Sequence, residues 1–159
     1  MPVWKPPKTV GQMEVVGRRL LDKKGVERPK NEHGRPFFEV GDFHETRERE
    51  DFSVDRLGDV NPSKVTIRAI TKIADTAASE QDRVFGGWAT IRVRDFRFQG
   101  WVADIAAAPT HNDDGTVDNQ WHANVSKDDF RKKSQAYTFA VTLQQTFERK
   151  GGYRAPERS

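Results

Sequence analysis

Val84-Phe85-Gly86-Gly87-Trp88-Ala89-Thr90-Ile91-Arg92-Val93 is the stretch whose reading decides the fold. It is aromatic and β-branched, the composition of a half-buried strand. Gly86-Gly87 near its start points to a bulge or a close backbone approach. After the short connection Arg94-Asp95, the segment from Phe96 to Ile105 reads as a second strand. A connection that short predicts a hairpin over 84–105.

Two helical patterns flank this pair. Upstream, Asn61-Pro62-Ser63 supplies a capping residue and a proline suited to a first turn. Ile67, Ile70, Ile73, Ala74 and Ala77 then recur at helical spacing to about Ser79–Gln81. Downstream, Ser126 and Asp129 read as a capping box, and Phe130, Ala136, Tyr137, Ala140, Leu143 and Phe147 form a core stripe. Gly151-Gly152 ends that helix.

The remaining elements are shorter. Residues 12–21 read as a strand, since Gly17 and paired valines disfavour helix. Residues 22–35 form a polar loop, Pro36 to Val40 a strand, 109–120 a loop, and Trp121 to Val125 a strand. The order predicts an α+β fold: a mostly antiparallel sheet of about five strands with two helices packed on one face. The division is an extended basic arm at 1–11, a single α+β domain at 12–150, and a flexible C-terminal tail at 151–159.

Composition bounds the function classes. The chain has 159 residues, 35% apolar and 32% charged, with a mean hydropathy of -0.84. That is enough for one domain with a modest core. The 16 aromatic residues argue against global disorder. With no cysteine, a disulfide, a thiolate nucleophile and a cysteine-ligated metal site are excluded. No signal-peptide or membrane-span pattern is present, so the expected location is cytoplasmic. The abundance of Arg, Asp and Ala suggests a bacterial or phage source.

The net charge is +3, yet residues 1–30 hold eight Lys/Arg against three Asp/Glu. The rest of the chain is therefore slightly acidic, and the basic character belongs to the N-terminal segment. Such an arm suits nucleic acid or an acidic protein surface. The candidate contacts are Lys5, Lys8, Arg18, Arg19, Lys23 and Lys24, with Arg92, Arg94 and Arg97 at the hairpin. Trp88, Trp101 and Trp121 on strands fit either a stacking face or a core.

The chain carries no Walker-type loop, no GxGxxG, no HExxH and no GxSxG. Of four histidines, His33 reads as a surface residue and His111 as part of a turn. His44 and His122 lie near predicted strand ends. If those ends meet, the pair with Asp55 or Glu48, and Arg56, could work as a small hydrolase or nuclease. Against this stands a simpler role for His122, hydrogen-bonded to a loop carbonyl. In Asp51-Phe52-Ser53-Val54-Asp55-Arg56-Leu57 two carboxylates and an arginine interleave with apolar residues, and an Asp–Arg pair that orders the approach to the first helix is the simpler reading. The sequence-level expectation is a non-enzymatic interaction module, an accessory subunit docking in part through its basic arm. No cofactor, metal or membrane is expected; a protein partner is, and nucleic acid stands as an alternative.

Overall fold

The computed structural model describes residues 3–44, 52–59, 62–98, 101–126 and 133–158. A six-stranded sheet organises it. The strands are β1 (Val15–Lys23), β2 (Phe52–Gly58), β3 (Arg83–Arg92), β6 (Ile105–Ala107), β9 (His122–Val125) and β10 (Gly152–Arg154). Their order is β10-β3-β1-β2-β9-β6, and every pairing is antiparallel. Two small ribbons stand apart: β4 (Arg97–Phe98) with β5 (Trp101–Val102), and β7 (Thr110–His111) with β8 (Val117–Asn119). The helices are α1 (Lys64–Glu80) and α2 (Lys133–Lys150). Among the described residues, no helix is long and apolar enough to cross a membrane.

The fold class is as expected, but the helices do not share a face. Successive strand residues point to opposite sides of a sheet. On β2, Val54 joins the cluster under α2 with Phe139, Ala140, Leu143 and Phe147, while Leu57 joins the one under α1 with Ile67, Ile70 and Ala74. On β3, Ala89 and Ile91 face α2 and Trp88 faces α1. Both sides of the central strands are apolar, so each side takes a helix and the sheet lies between them.

The bulge at Gly86-Gly87 makes this possible. Arg19 pairs with Trp88 and Leu21 with Phe85, so three steps on β3 match two on β1. The extra residue turns Phe85 onto the same face as Trp88, where the two rings meet edge to face at 4.7 Å. Gly87 has φ +107°, and a Cβ there would lie 2.6 Å from the Arg154 carbonyl.

Other expectations need correction. The 84–105 hairpin does not form. Instead Val93–Asp95 make a tight turn, the Val93 and Arg94 amides pair with the Glu14 and Gln12 carbonyls, and Phe96 packs against Trp101 and Phe147. Pro36 to Val40 is not a strand. Phe38 and Phe43 are both buried, and the turn Val40–Phe43 between strand ends brings them into edge contact. In α2, Tyr137 is 66% exposed and Phe139 takes the core position, in phase with Leu143 and Phe147. Burying each such ring contributes about 2–3 kcal/mol. Ser63 caps α1 by accepting the Thr66 amide at 3.2 Å. Asn61, Asp129 and Phe130 lie outside the described residues.

Both terminal segments make contacts with the fold among the described residues. Residues 152–154 extend the sheet as β10, the Glu157 amide donates to Thr71 Oγ1, and Arg158 reaches Asp75 and the Phe85 carbonyl. At the other terminus, residues 3–11 have no regular structure but are fastened to the fold.

Candidate functional site: the arm end of the sheet

β1 runs away from the arm, and β2 and β3 end beside it, so Glu14, Arg56 and Arg92 gather at one end of the sheet. Arg56 is 1% exposed and Glu14 is 7% exposed. A buried guanidinium needs acceptors for its donors. Its Nε and Nη2 reach Glu14 Oε1 at 3.1 and 2.8 Å. The rest of its capacity goes to the arm: Nη1 donates to the Pro7 carbonyl at 2.6 Å and Nη2 to that of Thr9 at 3.4 Å. Glu14 Oε2 also accepts the Gly11 amide.

A second anchor lies at Trp4. Its amide donates to Thr66 Oγ1 at 2.9 Å, at the start of α1, and its carbonyl accepts Trp121 Nε1 at 3.0 Å. Its ring stands 5.6 Å from the Arg56 guanidinium, within cation–π range. Val3 and Trp4 pack on the cluster that holds Ile67 and Trp121. Pro6 and Pro7 keep the span between the anchors extended and carry no N–H that needs an acceptor. Lys5 and Lys8 are exposed, and no ion pair engages them among the described residues. Arg94 and Arg97 are exposed nearby and Arg92 is half-buried. Arg92 donates to the Met13 carbonyl, while Arg94 lies 3.6 Å from Met13 Sδ and 4.0 Å from Asp95.

The other basic candidates serve the fold. Arg19 grips Asp55 with two bonds of 2.7 and 2.9 Å, and Asp55, fully buried, also accepts Trp88 Nε1. Burial opposes the charge on Arg19, yet Asp55 holds it above the usual arginine range. Arg18 lies over the Phe52 ring and donates to the Asp42 and Ser53 carbonyls. Lys24 pairs with Asp82 at the surface, and Lys23 borders a cleft at the far end of the sheet.

The histidine pair gains no shared site. His122 sits opposite Asp55 across β2 and β9, but its Nδ1 is 2.7 Å from the Ala108 carbonyl and so fastens the 109–120 segment. His44 follows Phe43, which packs in the α2 layer, whereas His122 alternates with Ala123 of that layer and belongs to the α1 side. Asp55 and Arg56 do not pair with each other; strand alternation sends them apart, each to its own partner. Glu48 lies outside the described residues.

Sequence reasoning missed Glu14, Trp4 and Thr66. A carboxylate just before a valine-rich strand was the available signal for Glu14. Nothing local marks Thr66 as the acceptor for an amide 62 residues away.

The far end of the sheet holds a cleft of about 420 Å³ between the 22–36 segment, Val84, Gly86 and Tyr153. Arg28 organises it, reaching Asp22 at 2.7 Å and Asp42 at 2.6 and 2.8 Å. Burial disfavours the Arg28 charge, but bonds to Asp42 and Asp22 hold it far above the usual range. Tyr153 Oη donates to the Gly86 carbonyl at 2.7 Å. Comparison of the chain with protein families, curated proteins and solved structures found no match.

Proposed function

We propose that the protein is a non-enzymatic interaction module, an accessory subunit of a larger assembly, and that it docks through the arm end of its sheet. The observation that carries this reading is the way the arm is held. Its backbone is consumed by Arg56, Thr66 and Trp121, while Lys5 and Lys8 face outward. Together with Arg92 and Arg94, both beside Met13, they form a basic end on a fold whose charge is otherwise slightly acidic. A rigid arm presents these charges with little ordering cost on binding. The partner that fits is an acidic protein surface. Exposed stacking rings, which single-stranded nucleic acid uses, are not part of this end: Trp4 is packed, and Trp121 is buried.

The test is affinity capture with the full chain against a variant carrying Lys5→Glu, Lys8→Glu, Arg92→Glu and Arg94→Glu. The expected result is a protein partner, retained after nuclease treatment, lost with the charge-reversed variant and weakened by salt. Capture that ignores the four reversals, or only nucleic acid on the wild-type chain, would overturn the reading.

A further inference from the structure

The seat beneath the arm holds an extended segment chiefly by its main chain. Three side chains of the folded body form it: Arg56, Thr66 and Trp121. All three bind main-chain atoms of the arm, at Trp4, Pro7 and Thr9. Among residues 4–9 the arm's side-chain anchor is the Trp4 ring, with Val3 packed beside it. Recognition of this kind asks for an extended chain with one aromatic residue, followed by prolines, which bring no N–H in need of an acceptor. None of the three seat residues lies on the arm, so nothing in the contacts requires the arm and the seat to share one chain.

We propose that the seat also takes residues 4–9 of a second copy of this chain, by exchange of arms. This goes beyond the docking of an acidic partner, which uses the arm's charges and leaves the arm in its own seat. The second copy is the occupant because the chain itself carries the segment that fits. The contacts of residues 4–9 in an exchanged pair are the same as in one chain, and only those of the tether differ. What favours the closed monomer is the tether at residues 10–13, which holds the arm at an effective concentration on the order of millimolar. An assembly that crowds copies together offsets that advantage.

Complementation removes the tether from the comparison. One full-length variant, Trp4→Ala, keeps the seat and loses the anchor. Another, Thr66→Val with Trp121→Phe, keeps the arm and loses two seat bonds. Mixed, they are expected to form a heterodimer by light scattering, while each alone is a monomer. A labelled peptide of residues 1–11 should bind the Trp4→Ala chain at least tenfold more tightly than it binds the wild-type chain, whose own arm fills the seat. Trp4→Leu serves as acceptor if Trp4→Ala does not fold, with near-ultraviolet circular dichroism as the check. Absence of the heterodimer overturns the proposal, even if the peptide binds, since the occupant would then be some other extended segment. Equal peptide binding by wild-type and variant chains also overturns it. None of these readouts uses the four charges reversed in the capture test, so either idea can fail alone.

Discussion

The two ends of the central strands solve the same problem in opposite ways. At each, an irregular segment is tied to the sheet by one arginine. At the arm end the arginine is on the sheet: Arg56 of β2 reaches out for the Pro7 and Thr9 carbonyls. At the cleft end it is on the loop: Arg28 reaches back to Asp22 of β1 and across to Asp42. Arg56 is sealed under the arm it holds, whereas Arg28 borders an open cleft. The difference teaches where each charge cluster stands with respect to water. A sealed pair cannot lose a partner without leaving a charge stranded, while one beside water can be re-solvated.

Arg56→Met should therefore have the largest effect. It strands the Glu14 carboxylate at 7% exposure and releases the arm. A loss of about 3–5 kcal/mol is expected, measured as a shift of the denaturant midpoint. A loss below about 1 kcal/mol, the range of surface pairs, would show that the arm end is not sealed.

Gly87→Ala comes next, and it acts on the edge near the cleft. A Cβ at φ +107° and 2.6 Å from the Arg154 carbonyl forces β10 away from β3. The expected cost is about 1–3 kcal/mol, with faster hydrogen exchange at residues 152–154. Unchanged exchange there would mean that the bulge does not hold β10.

Arg28→Met sharpens the comparison directly. It breaks pairs with Asp22, whose side chain is 22% exposed beside the cleft, and with the more buried Asp42, so about 1–3 kcal/mol is expected. A cost equal to that of Arg56→Met would erase the distinction between the ends.

The smallest effect belongs to Tyr153. Burial, and then the Asp22 charge, push its hydroxyl above the usual tyrosine range. The folded state thus holds the proton more tightly than the unfolded chain. This stabilisation is complete below about pH 10 and falls as pH rises through the folded value. Tyr153→Phe should cost about 1 kcal/mol below pH 10, for the lost bond to the Gly86 carbonyl. The gap between wild type and variant should narrow above pH 10 in paired denaturation curves. A constant gap across that range would count against a protonated hydroxyl at this bond.

Much of the fold was legible because its signals are local. The helical spacing of Ile67, Ile70 and Ala74 and the bulge at Gly86-Gly87 both act over a few residues. The pairing of helices with sheet faces was not legible. It depends on both sides of β2 and β3 being apolar, and the expected single-faced alternation obscures that. The supposed hairpin failed for a similar reason: Phe96 finds Phe147, 51 positions away, and leaves the strand path. Of the candidate site, the basic arm was legible as charge but not as structure. Its anchors join Trp4 to Thr66 and Trp121, separations that no motif encodes. Nearness in sequence suggests an Asp–Arg pair within 51–57, but adjacency on a strand sends Asp55 and Arg56 to different partners.

The central claim is that the arm is bound and not loose. Backbone nitrogen-15 relaxation of Trp4, Lys5, Lys8, Thr9 and Val10 in the wild-type chain tests it most directly. Order parameters near about 0.85 are expected, as in the rigid sheet, falling below about 0.6 in Arg56→Met. Values below about 0.6 in the wild-type chain itself would contradict it.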